Sequence, residues 1–194
     1  HGVELAGGAN DNLVVDNLLS GKQNHGVGIT SEAHDNTVSG NLIGPDATGT
    51  YSLGTHPMGG IDISNGAHHN VIGGLDTGEG NVISGNQTDG IALFKSTNDD
   101  VTNNQVLGNL IGLGLDGVSP LPNGGTGIFN VYGAVRTRIE GNTIAFNDGY
   151  GILVTNCEGN TITQNSIYSN TLAGIESEGN CVPAPEITDV AIGP

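Results

Sequence analysis

The stretch GNTIAFNDGYGILVTNCEGNTITQNSIYSN, residues 141–170, is built from two recurring phrases. One is G-I/V-x-I/L, present as GILV at Gly151. The other is N-x-I/V-x-x-N, which links Asn142 to Asn147, Asn160 to Asn165 and Asn165 to Asn170. Apolar residues alternate for only three or four positions before Gly, Asn or Asp intervenes. Those residues tolerate the left-handed backbone of a sharp corner, so the pattern reads as very short strands joined by tight bends.

Both phrases recur along the chain. The first appears as GVEL at Gly2, GVGI at Gly26, GIDI at Gly60, GIAL at Gly90, GIFN at Gly127, GILV at Gly151 and GIES at Gly174, with gaps of 24, 34, 30, 37, 24 and 23 residues. Asparagines five apart recur at Asn12/Asn17, Asn36/Asn41, Asn81/Asn86 and Asn104/Asn109 as well. The repeating unit is therefore about 24 residues, carrying insertions, and self-similarity of this length marks a solenoid. The L-x-x-L-x-L phrase of leucine-rich repeats is missing. The expected fold is all-β, a right-handed parallel β-helix of about seven coils with three short strands per coil. Rungs stacked at roughly 4.8 Å would bury Ile, Val and Leu in a narrow interior and align Asn side chains into hydrogen-bonded ladders at the corners. Residues 1–180 form the helix in this reading, and residues 181–194, leaving through two prolines, form an extended tail or linker strand.

Composition agrees. The 34 Gly and 23 Asn, with only 35% hydrophobic residues and no Trp, leave little material for a conventional globular core. Four basic against 20 acidic residues give a formal charge of -16, which repels phosphate backbones and excludes nucleic acid as a partner class. No apolar run approaches a membrane span or a signal peptide. Starting at His1 rather than Met, the chain reads as a processed or excised piece.

The phrases NVIGG, GNVISGN and GNLIG make the sequence resemble the right-handed parallel β-helix repeat family, particularly large bacterial surface proteins, from Gly2 to about Glu178. The resemblance implies a fold. It does not single out a function, because the family includes polysaccharide lyases, epimerases, hydrolases, adhesins and copper-handling periplasmic proteins.

Two glycine- and proline-rich insertions, in residues 40–63 and 108–130, echo each other and would either wall a groove or form inert bulges. On the strand face that an enzyme of this fold would use, the outward positions are Glu4, Gly28, Asp62, Ala92, Phe129, Leu153 and Glu176, with no stacked acidic cluster. Asp62, with His56 and Tyr51 from the preceding insertion, is the candidate catalytic grouping. Asp89, Asp99 and Asp100 faintly echo polygalacturonase motifs, but the G-H-G and R-I-K segments of that family are missing, and they read as corner residues. Alignment on the first glycine of each coil brings residues 8–12, 32–36, 66–70 and 96–100 to one corner. There His34 stacks over His68 and Asp35 over His69, a candidate Zn²⁺ or Cu²⁺ grouping that a solvated corner would equally explain. Asp46, Asp76 and Glu79 in acidic turns are candidates for Ca²⁺, although no cofactor is required.

Cys157 and Cys181 lie six and seven residues after their glycines, hence at nearly the same corner of neighbouring coils, and are expected to form a disulfide. A disulfide implies an extracellular or cell-surface location. The leading expectation is a non-catalytic surface or filament-forming scaffold, associating end to end or continuing into a larger surface protein. The alternatives are a carbohydrate-active enzyme in a groove near Asp62, acting on polysaccharide, and a glycan- or metal-binding module.

Overall fold

The computed structural model describes residues 1–21, 24–53, 59–95, 99–155 and 158–179, with the backbone of the strand Glu186–Thr188. The described residues contain strands, turns and bends and no helix. Three long sheets run side by side, and every strand pairing in them is parallel. The first contains Val3–Leu5, Val27–Ile29, Ile61–Ser64, Ile91–Phe94, Ile128–Val131, Ile152–Thr155 and Ile175–Glu178, stacked in chain order. The second runs from Leu13–Val15 through Thr37–Ser39, Val71–Gly73, Gln105–Leu107, Arg138–Glu140 and Thr161–Thr163 to Glu186–Thr188. The third stacks Leu18–Leu19, Leu42–Ile43, Val82–Ile83, Leu110–Ile111, Thr143–Ala145 and Ser166–Tyr168. Consecutive strands thus belong to different sheets, and the chain returns to the first sheet one rung further on, as the right-handed parallel β-helix expected from the sequence requires.

The alternation within each short strand sorts side chains into columns. In the first sheet Val27, Ile61, Ile91, Ile128 and Ile152 form one inward column, all fully buried. Val38, Ile72, Val106 and Ile139 do the same in the second sheet, and Ile43, Ile83, Ile111 and Ile144 in the third. Each such side chain contributes about 1.5–3 kcal/mol, which makes the aliphatic interior the main driving force. The glycine that opens each first-sheet strand is there for close approach. A Cβ on Gly60 would stand 2.6 Å from Ile83 Cγ2 and 2.7 Å from the Gly90 carbonyl oxygen.

At the corners the asparagines stack. Asn17, Asn41, Asn81, Asn109, Asn142 and Asn165 form one ladder, each Nδ2 in the fully buried middle donating to the next Oδ1 at 2.9 Å. A second runs through Asn12, Asn36, Asn70 and Asn104, and a third through Asn86, Asn123, Asn147 and Asn170. The residue ahead of most ladder asparagines is left-handed: Asp11, Asp16, Asp35, His69, Asn103, Phe146, Gln164 and Ser169 all have positive φ.

Each echoing insertion contains an acid-capped hairpin, closed by a bridge from Pro45 to Ser52 in one and from Leu113 to Pro120 in the other. Asp46 accepts from the backbone N–H groups of Thr50 and Tyr51, and Asp116 from those of Val118 and Ser119. These bonds and the Thr48 and Ser119 hydroxyls hold both carboxyls below their ordinary range, the hydroxyl contacts being the largest cause. One hairpin sits on the other through Leu115 N–H to the Gly49 carbonyl, 3.1 Å. The two hairpins, within residues 45–52 and 113–120, therefore form a stacked pair.

The alignment expected at residues 96–100 needs correction. Thr102 bridges to His68, and it is Asn104, not Asp100, that follows Asn70 at this corner, its Oδ1 accepting the backbone and side-chain N–H groups of Asn70. Extra residues between the strands Ile91–Phe94 and Val101–Thr102 shift the corner by four positions relative to a count from Gly90.

Candidate functional site

The outward column of the first sheet holds the residues read from the sequence: Glu4 pairs with Gly28, Gly28 with Asp62, Asp62 with Ala92, Ala92 with Phe129, Phe129 with Leu153, and Leu153 with Glu176. A second column runs beside it, made by the residue just ahead of each opening glycine. Backbone bonds from Gly2 to His25, from Gly60 to Asp89 and from Gly90 to Thr126 define its spacing. Where His25, Gly59 and Asp89 of this column face Asp62 and Ala92, a cleft of about 300 Å³ opens, with Phe94, Phe129 and Tyr132 as its apolar wall. Small residues make the hollow. A Cβ on Gly59 would lie 2.4 Å from the Asp89 carbonyl oxygen, so glycine is required there.

Asp62 and His25 meet in this cleft from adjacent coils. His25 Nε2 lies 3.7 Å from Asp62 Oδ2, and both side chains are largely buried. Ser64 Oγ donates to Asp62 Oδ1 at 2.7 Å. Burial pushes the Asp62 carboxyl above its ordinary value, outweighing the Ser64 bond and the attraction of His25. Burial likewise holds the His25 imidazole below its ordinary value, against the attraction of Asp62 and the Gly59 backbone. Its Nδ1 is buried without a well-formed hydrogen bond. Asp89 is raised by burial too, although its Oδ1 accepts the Thr126 N–H at 2.6 Å. In each case desolvation outweighs pairing, which shifts these groups toward their uncharged forms.

The other candidates fall elsewhere. Tyr51 is 72% exposed on the first hairpin and is not among the cleft residues. His56 lies outside the described residues, as do Cys157 and Cys181. Asp89, read as a corner residue, immediately precedes Gly90 and is among the residues that line the cleft. His25 was missed because the search followed the x position of G-I-x-I, whereas His25 immediately precedes the glycine.

At the histidine corner His34 stacks on His68, with ring centroids 4.8 Å apart and planes 3° from parallel. Asp35 Oδ2 pairs with His34 Nδ1 at 2.8 Å, and His68 Nδ1 with His69 Nδ1 at 2.9 Å. The His34 hydrogen bond lowers the Asp35 carboxyl, and burial, followed by the neighbouring His34 and His69, lowers the His68 imidazole. Asp46, a Ca²⁺ candidate, spends its oxygens on its own turn, and Glu79 accepts from the Asp76 N–H at 3.3 Å.

A family model described as "Periplasmic copper-binding protein (NosD)" matches residues 73–180. That span covers Asp89, Phe129 and Tyr132 of the cleft but not His25 or Asp62. The described residues do not fit a copper ion as they are arranged: no three or more His, Cys, Asp or Glu among them are placed to share a metal. Face-to-face rings such as His34 and His68 point their nitrogen lone pairs side by side rather than toward one centre, and the δ nitrogens are already hydrogen-bonded.

No curated protein matches the sequence. Among solved structures, the chain is similar to the periplasmic alginate epimerase AlgG, at 19% identity and a TM-score of 0.61 over 88% of this chain and 32% of that one. A point mutant of AlgG gives 20% identity and a TM-score of 0.62, over 90% and 33%. The chain thus spans about a third of the length of these neighbours, and the likeness is one of fold. No helix among the described residues is long and apolar enough to cross a membrane. The location outside the cytoplasm that the sequence predicts agrees with a periplasmic family. With its coils stacked as a parallel β-helix and more than half of its residues matching that one family model, the chain belongs to the NosD family.

Proposed function

We propose that this β-helix acts on a polysaccharide outside the cytoplasm, with the Asp62–His25 cleft as its reaction centre. The observation that carries this reading is the meeting of a buried carboxyl and a buried imidazole 3.7 Å apart, beside an aromatic wall. A sugar ring laid against Phe129 and Tyr132 covers their apolar faces with its own C–H face. Its oxygens then lie toward Asp62, His25 and Asp89, carboxyl and imidazole groups of the kind that give and take protons. The epimerases that share the fold act on alginate by their names, which supports the class of substrate without fixing it.

The test is incubation of the protein with a panel of neutral and acidic polysaccharides, followed by NMR for new reducing ends, unsaturated residues or inverted centres. One substrate is expected to change, and Asp62→Asn and His25→Gln are expected to slow that change about 100-fold while circular dichroism stays the same. Unaltered rates in both variants would refute the assignment.

The scaffold reading rests on a different observation. Leu13, Val15 and Leu18 on the outermost strands of the second and third sheets are 75%, 41% and 47% exposed, an apolar surface suited to another β-coil. If the whole panel is left unchanged and the same material forms fibres under the electron microscope, a filament-forming scaffold replaces the enzyme.

A further inference from the structure

We infer that the cleft takes an uncharged glycan, a chain of neutral hexoses or pentoses, and discriminates against uronates; this deepens the proposed function and rests on it. The argument is one of charge and shape. The cleft is lined by His25, Gly59, Asp62, Thr88, Asp89, Ala92 and the three aromatic residues, with no Lys or Arg among them. Enzymes that abstract a proton beside a sugar carboxylate need a cation or several hydrogen-bond donors to neutralise that carboxylate. Here the polar side chains of the lining are two carboxyls, the Thr88 and Tyr132 hydroxyls and one imidazole, with no guanidinium or ammonium among the described lining residues.

None of the basic residues described is among those that line the cleft. Lys95 Nζ lies 2.6 Å from Asp100 Oδ1. Arg138, in the second sheet, pairs with Glu140 at 2.5 Å and donates to Gln105. Arg136 sits at the left-handed corner beside Gly159. Lys22 lies outside the described residues. A polyanion approaching this face meets the field of a chain with a formal charge of -16, and no Lys or Arg is among the described residues that line the cleft.

The same lining suits a neutral sugar. The aromatic wall offers flat apolar contact, and the Thr88 hydroxyl with the Asp62 and Asp89 carboxyl groups offers hydrogen bonds to hydroxyl groups. Ala92 is the telling position. It lies in register between Asp62 and Phe129, points outward, and would carry a cation directly over the ligand if one were wanted there.

The experiment is isothermal titration of the full chain at neutral pH with cellohexaose, mannohexaose and xylohexaose, and in parallel with hexamers of mannuronate and galacturonate. At least one neutral hexamer is expected to bind, about tenfold more tightly than either uronate, and to lose about tenfold in Phe129→Ala or in the exposed variant Tyr132→Ala. Ala92→Lys should narrow the gap by strengthening uronate binding. If a uronate hexamer binds as tightly as the neutral ones and is weakened by Phe129→Ala, the inference falls while the glycan-acting cleft stands. If no hexamer binds at all, both fall.

Discussion

Asn109 and Asp62 are both removed from water, one at a corner and one on the outward face of the first sheet, and their surroundings treat them in opposite ways. Asn109 Oδ1 accepts the N–H and the Nδ2–H of Asn81, and its own Nδ2 donates to the Ile72 carbonyl and to Asn142 Oδ1. Every hydrogen-bonding capacity of that side chain is used. Asp62 has one good bond, from Ser64, and an imidazole held just beyond hydrogen-bond distance. Buried polar atoms that are fully partnered stabilise and define the register of a fold, whereas partly partnered ones cost stability and keep reactivity available.

The largest expected effect comes from breaking the satisfied side. Asn109→Leu is nearly isosteric but leaves two Asn81 donors without their acceptor inside the rod and takes one bond each from the Ile72 carbonyl and Asn142 Oδ1. Asn142 Oδ1 keeps the backbone N–H of residue 109, but the two Asn81 donors lose their acceptor, which should cost about 2 kcal/mol or more, read as a fall in the denaturant midpoint. A loss below about 1 kcal/mol would mean that the ladder is a passenger of aliphatic packing.

The cleft should respond in the other direction. Because the folded protein holds the Asp62 proton more tightly than the unfolded chain does, the wild type loses stability as pH rises from the ordinary carboxylate value through the raised one. Asp62→Asn removes that loss. Its melting temperature should exceed the wild type's at neutral pH, and the difference should shrink in acid. His25 works with the opposite sign: its lowered value makes the fold lose stability as pH falls through the ordinary imidazole range, and His25→Gln should flatten that limb.

The smallest effect is expected at Asn130. This side chain interrupts the inward column between Leu93 and Val154, is fully buried, and has an Nδ2 without a partner, while its Oδ1 receives only a long 3.4 Å contact from Thr137. Asn130→Leu should raise stability by about 1 kcal/mol. A destabilisation instead would show that a polar group at this depth is being used.

Much of this was legible in the sequence because a rung-by-rung fold writes its register into spacing. The G-I-x-I phrase identified the outward column from Glu4 to Glu176 in its true order, and asparagines five apart identified two corners at once. Asn70 and Asn123 carry no such spacing, since insertions separate them from their nearest companions, and only the stacked geometry places them in the ladders. The residues around Asp62 were harder to see for a related reason. His25, Gly59 and Asp89 belong to a column defined by the position before the glycine, and a turn residue in one coil reveals its neighbour two coils away only once the stacking is laid out. Reading that position in every repeat would have found all three.

The two outward columns have a wider meaning. Each storey of the rod presents the same pair of sockets at the same pitch, and the hollow beside Asp62 exists because neighbouring storeys happen to fill theirs with glycine, alanine, acid, imidazole and ring. Chemistry in such a scaffold is set by lettering rather than by loop design: a handful of side-chain exchanges, with no change in the path of the backbone, would silence this hollow or open its twin elsewhere along the shaft.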